Sequence, residues 1–309
     1  MFIPTTFHFS FPFFSKRLDL ILNSAILKME PVRSQSTIAN YRTATRSFIR
    51  YAGQDASIRD VNILLIEGYE RWLKQEHVTR NTSSCYMRSL RKLFNVAGIK
   101  NGNALFKSVF TGNDKTEKRA ISKKDMCRLL YEARPDNPHL RLAQELFVFS
   151  FNCMGLPFVD LAFLRKDQMK NGYIFYNRQK TGQSIRIRIT DEEQTIINMY
   201  AREDSPYIFP LLSSTDPKKA MKEYEALRRR YNRNLSKLAT LMNIPHITSY
   251  RVRHTWASIA YAEGTIMPII SKALGHTNST TTQIYISEID DNRVDEANAA
   301  IKRKMRLSA

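Results

Sequence analysis

The sequence predicts a mainly α-helical protein with a small β-sheet, an α+β fold arranged in two domains. Its 309 residues are about two domains at ~100–200 residues each. Apolar residues make up 43% and recur at helical spacing along most of the chain, which excludes wholesale disorder. Only two short segments, within residues 173–190, have the composition and alternation of β-strands.

The first 29 residues differ from the rest. The segment Met1–Phe14 is rich in phenylalanine and interrupted by prolines, and the first basic residues, Lys16 and Arg17, follow it. A secretory signal has its positive charge before the apolar core, so we exclude export. We expect residues 1–29 to be an ill-ordered extension, or upstream coding sequence ahead of a start at Met29.

Residues 30–112 have the pattern of a small helical domain. Ser36 or Thr37 can cap a helix that runs to about Ala52, before Gly53. Two further helices are predicted over Asn62–Gln75 and from Asn81 to Ala97. Basic side chains recur on one face of the first and third helices, which is an ordinary solvated face or a surface for DNA phosphates. We expect contacts to DNA from Arg42, Arg46, Arg50, Arg88 and Arg91.

A polar, charged stretch at 113–122 predicts a linker, and residues 123–309 then form the second domain. Leu140–Met154 is apolar on nearly every side, so we expect a buried helix. Strands are predicted at Tyr173–Tyr176 and Ser184–Thr190, with a turn at 179–182 between them. Further helices are expected over Asp191–Ala201, Pro217–Met242, Tyr250–Ala262 and Met267–Leu274, with a short one near Ser279.

The formal charge of +19 points to a polyanionic partner, because basic surfaces displace the counterions condensed on nucleic acid. No stretch has the ~20 apolar residues of a membrane helix. The three separated cysteines favour a reducing compartment, so we expect a cytoplasmic, nucleoid-associated protein. We expect no metal site, since His246, His254 and His276 lack the spacing of metal ligands.

Three segments of the second domain combine residues suited to phosphate chemistry. Lys180 lies in the predicted hairpin turn, Arg253-His254 lies near the start of a helix, and Gly275-His276 follows Leu274. Tyr285 comes nine residues after His276. A tyrosine oxygen can hold a broken DNA strand covalently, fixed basic donors can stabilise the charged transition state, and a lysine can protonate the leaving oxygen.

This ordered set resembles the tyrosine recombinase (phage integrase) family over about residues 35–290. The resemblance implies a SAM-like core-binding domain followed by a catalytic domain, and a metal-independent enzyme without a cofactor. It implies Tyr285 as nucleophile, Arg253 and His276 as phosphate ligands and Lys180 as general acid. The implied partners are double-stranded DNA, a homotetramer on paired recombination sites, and accessory proteins that bend the DNA.

The chain departs from the family pattern at two positions. The family usually carries an arginine after Gly-Leu, but here Pro157 follows Gly155-Leu156 and cannot donate a hydrogen bond. A branch of integrases from mobile elements is similar in this respect. Another basic residue fills the gap, or the site works with one donor fewer; the basic candidates are Arg165, Arg178 and Arg186.

The second departure is Tyr250, which stands where the family often has a histidine, and its phenol is a plausible replacement donor. We expect His254 to make a structural hydrogen bond. Asp160 matches an acidic position of the family, where it would orient a basic group or cap the short helix from Pro157.

Each assignment has an alternative: Tyr285 is a packed tyrosine, Arg253 a surface arginine, His276 a histidine at a helix end, or Lys180 an ordinary hairpin lysine.

The function that the ordered motif favours is that of a site-specific recombinase of the integrase or invertase type. The main alternative is an inactive or weakened DNA-binding relative, for which Pro157 and Tyr250 argue. Two others are a type IB topoisomerase-like enzyme and an RNA-binding or nucleoid protein. The tail after Ile286 has helical spacing that suits docking on a neighbouring protomer or on its own domain.

Overall fold

The computed structural model describes residues 17–99, 101–114, 120–132 and 134–276, together with residues 301 and 303. The chain divides into two compact units between residues 116 and 117. Each unit is built around its own buried apolar cluster, as independent domains are. Within the described ranges, no helix has both the length and the apolar character needed to cross a membrane.

The first unit is a bundle of helices, as the sequence predicts. Its α-helices are α1 (Leu18–Met29), α2 (Gln35–Ala52), α3 (Ile63–Gln75) and α4 (Arg80–Val96). Polar side chains cap α2, α3 and α4 by accepting a hydrogen bond from a backbone amide of the first turn. The N-cap of α2 is Ser34, not Ser36 or Thr37, so this helix begins slightly earlier than predicted.

Helix α1 corrects the expectation that residues 1–29 lie outside the folded domain. Its buried residues share one face, which packs against α2 and α4. They are Leu18, Leu22, Ala25, Ile26 and Met29. The amphipathic spacing was present in the sequence, but the phenylalanine-rich start beside it suggested a single extension. The expectation is wrong for residues 18–29, and residues 1–16 lie outside the described part of the chain.

The stretch predicted as a linker is anchored at both ends. The Asn81 side chain on α4 accepts a hydrogen bond from the Asp114 amide (2.8 Å) and donates to the Asp114 carbonyl (3.2 Å). At the other end, Ile121 is buried in the second core and its amide donates to Thr255 (3.1 Å). Because these contacts hold both ends of the stretch, the linker expected at 113–122 is shorter than predicted. Polar composition alone could not show the contacts.

The second unit combines helices with one small sheet, which confirms the predicted α+β class. The helix over Lys123–Tyr131 and the strand Met169–Lys170 were not predicted, and the short helix expected near Ser279 lies outside the described residues. The helices are α5 (Lys123–Tyr131), α6 (Pro138–Asn152), α7 (Phe158–Ala162), α8 (Asp191–Tyr200), α9 (Pro217–Leu241), α10 (Arg251–Ala262) and α11 (Met267–Leu274); the strands are β1 (Met169–Lys170), β2 (Tyr173–Asn177) and β3 (Ser184–Arg188).

Helix α6 forms the centre of this unit. Every residue from 143 to 150 is buried, and α5, α8, α9 and α10 pack around it, so the predicted buried helix is confirmed. The chain then turns at Gly155, whose φ is +68°. A Cβ atom there would lie 2.8 Å from the Arg253 Cα atom, so only glycine lets this turn lie against α10.

The sheet is antiparallel in the order β1-β2-β3. Ile174 and Tyr176 pair with Ile187 and Ile185, and these four side chains form its buried face. The intervening residues, such as Phe175, point outward. The β2–β3 turn therefore extends from a sheet whose inner face is fixed by the core.

Candidate active site

Arg253 is held by three separate segments of the second unit. It is the third residue of α10 and is only 3% exposed. Its Nη1 atom donates to the Gly155 carbonyl (3.4 Å), and its Nη2 atom donates to the Leu274 carbonyl at the end of α11. The same Nη2 atom lies 3.1 Å from His276 Nε2. The turn after α6, the start of α10 and the end of α11 thus fix one guanidinium.

His276 follows the end of α11. Gly275 has φ +61°, and the His276 amide donates back to the Ser271 carbonyl (3.0 Å), the pattern of a glycine helix end. Burial, with smaller effects of nearby Arg253, Arg178 and Lys180, lowers the pKa of His276 to about 4. The imidazole is therefore neutral near pH 7 in the protein without DNA. The three nearby cations disfavour its protonated form.

The end of α11 and the β-hairpin touch at Gly275. A Cβ atom on this residue would lie 2.6 Å from Ile185 Cδ1 and 3.0 Å from Arg178 Cδ. Both distances are too short for an ordinary contact. Glycine at this position therefore lets the hairpin approach the Leu274-Gly275-His276 segment.

Arg178 is the candidate that joins this cluster. It directly follows β2 and continues the inward alternation of Ile174 and Tyr176, and it is 8% exposed. Its Nη1 atom donates to the Leu274 carbonyl (2.7 Å), the oxygen that also accepts from Arg253. The period-two pattern of the strand was the sequence signal that places this arginine on the buried side.

The two other arginine candidates lie elsewhere. Arg165 contacts the carboxylate of Asp167 (3.4 Å). Arg186 is on the exposed face of the sheet, with its guanidinium carbon 4.9 Å from the centre of the Tyr173 ring. Neither residue is among the groups that lower the pKa of His276.

Asp160 ties Arg178 to the hairpin. It accepts a hydrogen bond from the Gln179 amide (2.9 Å) and lies 3.4 Å from Arg178 Nε. Burial raises the pKa of this carboxyl group, while both contacts oppose the rise. Of the two expected roles, orienting a basic group fits these contacts. The capping role is wrong, because the N-cap of α7 is Pro157 and no side chain caps that helix.

The remaining predicted site residues have different placements. Lys180 is exposed in the β2–β3 turn, near enough to His276 to affect its pKa. Tyr250 precedes α10, is 43% exposed, and packs edge-on against the buried His254 ring at 5.0 Å. Tyr285 lies outside the described residues. Among the described residues, no three His, Cys, Asp or Glu side chains gather to hold a metal ion.

The arginines predicted to bind DNA in the first unit fall into two groups. Arg42 and Arg50 have exposed side chains paired with Glu30 and Glu76, and Arg46 is also exposed. Arg88 instead donates to the carbonyls of Thr111 (3.0 Å) and Gly112 (2.8 Å), which fixes the chain leaving this unit. Arg91 is half-buried. Binding of DNA by these five residues stays a prediction.

Comparison with known families covers nearly the whole folded chain. Residues 113–291 match the Phage integrase family, and residues 20–106 match the Phage integrase SAM-like domain. The chain belongs to the phage integrase family, that is, to the tyrosine recombinases. The first match includes the Arg253-His254 and Gly275-His276 pairs and the position of Tyr285, so the predicted family is confirmed.

Solved integrase structures share this fold. A λ integrase dimer bound to a COC′ core site has a TM-score of 0.65 and 18% sequence identity, over 87% of this chain and 77% of that one. The Tn1549 transposon integrase in complex with transposon right end DNA has a TM-score of 0.67 and 14% identity, over 95% and 100% of the two chains. A search of curated protein sequences finds no match.

Proposed function

We propose that this integrase-family chain is a site-specific recombinase that cleaves and rejoins DNA through a 3′-phosphotyrosyl intermediate. The observation that supports the proposal is that Arg253 Nη2 lies 3.1 Å from His276 Nε2, although the two residues are 23 positions apart in the sequence. Lys180, in the β2–β3 turn, is among the cations that lower the pKa of His276. Tyr285 is the proposed nucleophile, at the interval from His276 that the family motif requires.

The electrostatics of the site suit a phosphodiester under attack. Arg253 is buried, and the backbone carbonyls of Gly155 and Leu274 orient its guanidinium. The neutral His276 imidazole adds a donor or an acceptor beside it. Donors fixed in a site that excludes water stabilise developing charge without reorganising, which is the largest catalytic effect in many enzymes.

The proposed cleavage step leaves the number of phosphoester bonds unchanged. The Tyr285 oxygen forms a bond to phosphorus and transfers its proton to solvent water, while the bond from phosphorus to the 5′ oxygen breaks. Lys180 at the hairpin turn donates a proton to this leaving oxygen. In the rejoining step a 5′-hydroxyl attacks the phosphotyrosyl bond and Tyr285 is released. Tyr250, at the start of α10, is a further proposed donor to the phosphate.

The proposed partner is double-stranded DNA, and the proposed assembly is a homotetramer on two recombination sites. The basic composition supports the first part, because each neutralised phosphate releases counterions. Two structures of similar fold support the second: a λ integrase dimer bound to a core site and a λ integrase tetramer bound to a Holliday junction. The tetramer structure has a TM-score of 0.65 and 16% identity.

A suicide substrate tests the proposal. In such a duplex the cleaved strand ends in a short fragment that diffuses away, so the phosphotyrosyl adduct accumulates. We expect a covalent adduct with the full chain, no adduct with Tyr285→Phe, and an unchanged amount with Tyr131→Phe, an exposed tyrosine of the same unit. A chain that binds its duplex but never forms an adduct would be the DNA-binding relative, not an enzyme.

A further inference from the structure

The small sheet of the second unit has an outer face that is not part of the core. Successive side chains of a strand point to opposite sides, so the residues between the buried ones face away from the core. The outer face consists of Lys170, Tyr173, Phe175, Asn177, Ser184, Arg186 and Arg188. These residues include three cations and two aromatic rings, and none of them is a carboxylate. The composition of this face therefore suits a ligand that carries both negative charge and flat rings.

On the outer face, each aromatic ring lies beside an arginine. The register pairs Phe175 with Arg186 and Tyr173 with Arg188 across the two strands. The Arg186 guanidinium carbon also lies 4.9 Å from the centre of the Tyr173 ring, and the two ring centres are 6.0 Å apart. Phe175 is 46% exposed, so its ring is available to a ligand. The rings and cations thus form one continuous surface.

This surface has the two features that bind single-stranded nucleic acid. Bases stack on exposed aromatic rings, and basic side chains beside the rings contact the phosphates, so binding needs no particular sequence. In a duplex the faces of the bases are stacked on one another and are not accessible to a protein ring. The rings of Tyr173 and Phe175 therefore favour an unpaired strand over a duplex.

The outer face lies next to the point where the proposed reaction frees a strand. The β2–β3 turn carries Lys180, the proposed donor to the leaving 5′ oxygen. Phe175 precedes Lys180 by five residues, so at ~3.3 Å per residue it is at most about 17 Å away. About five nucleotides at the spacing of 3.4 Å per nucleotide cover that distance. The outward residues nearest the turn, Asn177 and Ser184, are polar and exposed.

We infer that the outer face of the sheet binds the single strand that ends in the free 5′-hydroxyl after cleavage. One base of this strand stacks on Phe175, and Arg186 and Arg188 contact its phosphates. Binding there keeps the strand end close to Lys180 until a 5′-hydroxyl attacks the phosphotyrosyl bond. This inference rests on the proposed recombinase function, to which it adds a site for the released strand.

The first measurement is the affinity for a single-stranded oligonucleotide of about ten nucleotides, by fluorescence anisotropy with the Tyr285→Phe chain. We expect Phe175→Val, which keeps high strand propensity but has no ring, to weaken binding by about 5- to 100-fold. Phe175→Trp should retain the affinity. Tyr131→Ala is the matched control, since it removes a more exposed ring from α5, and it should change the affinity by less than about 2-fold.

A duplex of the same length separates stacking from a loss of folding. Phe175→Val should weaken duplex binding by less than about 3-fold, because a duplex offers no base to stack on the ring. A misfolded variant would instead lose both affinities together. The inference is overturned if Phe175→Val binds the single strand as the parent chain does, or if its affinities for single strand and duplex fall equally.

The second measurement locates the released strand after cleavage. The substrate is a nicked duplex whose released strand is about ten nucleotides long and carries 5-iodouracil about four nucleotides from its 5′ end. Irradiation should link this base to a peptide of β2 in the wild-type chain, and not in Tyr285→Phe, which leaves the strand paired. A link only to peptides outside the sheet would overturn the inference.

The two measurements also distinguish this inference from the proposed function. If the wild-type chain forms an adduct but Phe175→Val changes nothing, the recombinase proposal stands and the strand site is wrong. If the wild-type chain never forms an adduct, the proposed function fails. The oligonucleotide measurement then still decides whether the outer face binds a single strand, because it requires no cleavage.

Discussion

Two pairs of arginines, one pair in each unit, have different environments. In the first unit, the side chains of Arg42 and Arg50 are 56% and 65% exposed and pair with carboxylates of neighbouring segments. In the second unit, Arg178 and Arg253 are buried and both donate to the Leu274 carbonyl, and Arg178 also pairs with the buried Asp160. The same residue type thus forms a solvated surface in one unit and a fixed cationic site in the other.

From this difference we expect the two kinds of arginine to act on DNA in different ways. An exposed guanidinium beside a carboxylate is screened by water and salt, so it exchanges partners easily and contributes little to stability. A buried guanidinium held by carbonyls keeps its charge in a site of low dielectric constant, where its effect on a bound phosphate is larger. The first kind suits general attraction to DNA, and the second suits the scissile phosphate.

The largest expected effect is at Arg253. Arg253→Lys keeps the charge, but a single ammonium group cannot reach the Gly155 carbonyl, the Leu274 carbonyl and His276 together. We expect adduct formation to slow by ~10²–10³-fold with duplex affinity changed only a few-fold. Arg202→Lys, at an exposed arginine of the same unit that pairs with Asp204, should leave the rate unchanged. A wild-type rate for Arg253→Lys would contradict the distinction between buried and exposed arginines.

The next effect is on stability, at the contact between α11 and the hairpin. Gly275→Ala places a Cβ atom against Ile185 and Arg178 and also strains a backbone with φ +61°. Gly264→Ala shares the backbone strain, with φ +89°, but meets no atom within 4 Å. Urea unfolding should show that Gly275→Ala loses ~1–3 kcal/mol more than Gly264→Ala, because only the first overpacks its surroundings. Equal losses would show that the hairpin moves away freely.

The pH dependence tests the burial of His276 and, to a smaller extent, its cationic neighbours. Its pKa is about 4 in the folded protein, below its ordinary value of about 6.5, so the unfolded chain binds the proton first. The contribution of this residue to the free energy of unfolding is therefore present above pH 6.5 and is lost as the pH falls to about 4. The imidazole proton resonance should titrate near pH 4, and DNA phosphate beside the ring should raise that midpoint. A midpoint near 6.5 without DNA would contradict the packing described for this ring.

The smallest effects separate two arginines of the first unit. Arg88→Gln removes hydrogen bonds to two carbonyls of the chain leaving α4 and should cost ~1–3 kcal/mol in unfolding free energy. Arg42→Gln removes only an exposed ion pair and should cost less than about 0.5 kcal/mol. For DNA binding we expect the reverse order: Arg42→Gln lowers the salt dependence by about one phosphate contact, and Arg88→Gln lowers it less, because its guanidinium also holds two carbonyls of its own unit. If both variants behave alike in both measurements, the two groups of arginines are not distinct.

Much of the fold was predictable because it follows from local periodicity. The helical spacing in α2, α3 and α6 and the alternation in β3 depend on neighbours in the chain, and the structure confirms them. The failures were at places where a local pattern is ambiguous. Helix α1 was missed because it follows a phenylalanine-rich segment that suggested an extension. The polar composition of the linker did not indicate that Asp114 is bound by the first unit and Ile121 by the second.

The site was predictable in part for a different reason. Arg253, His276 and Lys180 belong to an ordered motif, so their grouping was expected before any contact was known. Arg178 was one of three basic candidates, and the inward register after Ile174 and Tyr176 was the signal that favoured it. The shared acceptor, the Leu274 carbonyl, has no sequence signal, because every residue carries the same backbone group.

The amino-acid order alone settled the family, the α+β class, the basic character and the motif residues, since these depend on composition and on spacing along the chain. Tertiary structure decided which arginine stands beside Arg253, what Asp160 holds, and which arginines of the first unit stay exposed. The reason is physical. A buried guanidinium is positioned by whichever carbonyl or carboxylate the fold brings near it, and residues 160, 178, 253 and 274 become neighbours only when the hairpin packs against the end of α11.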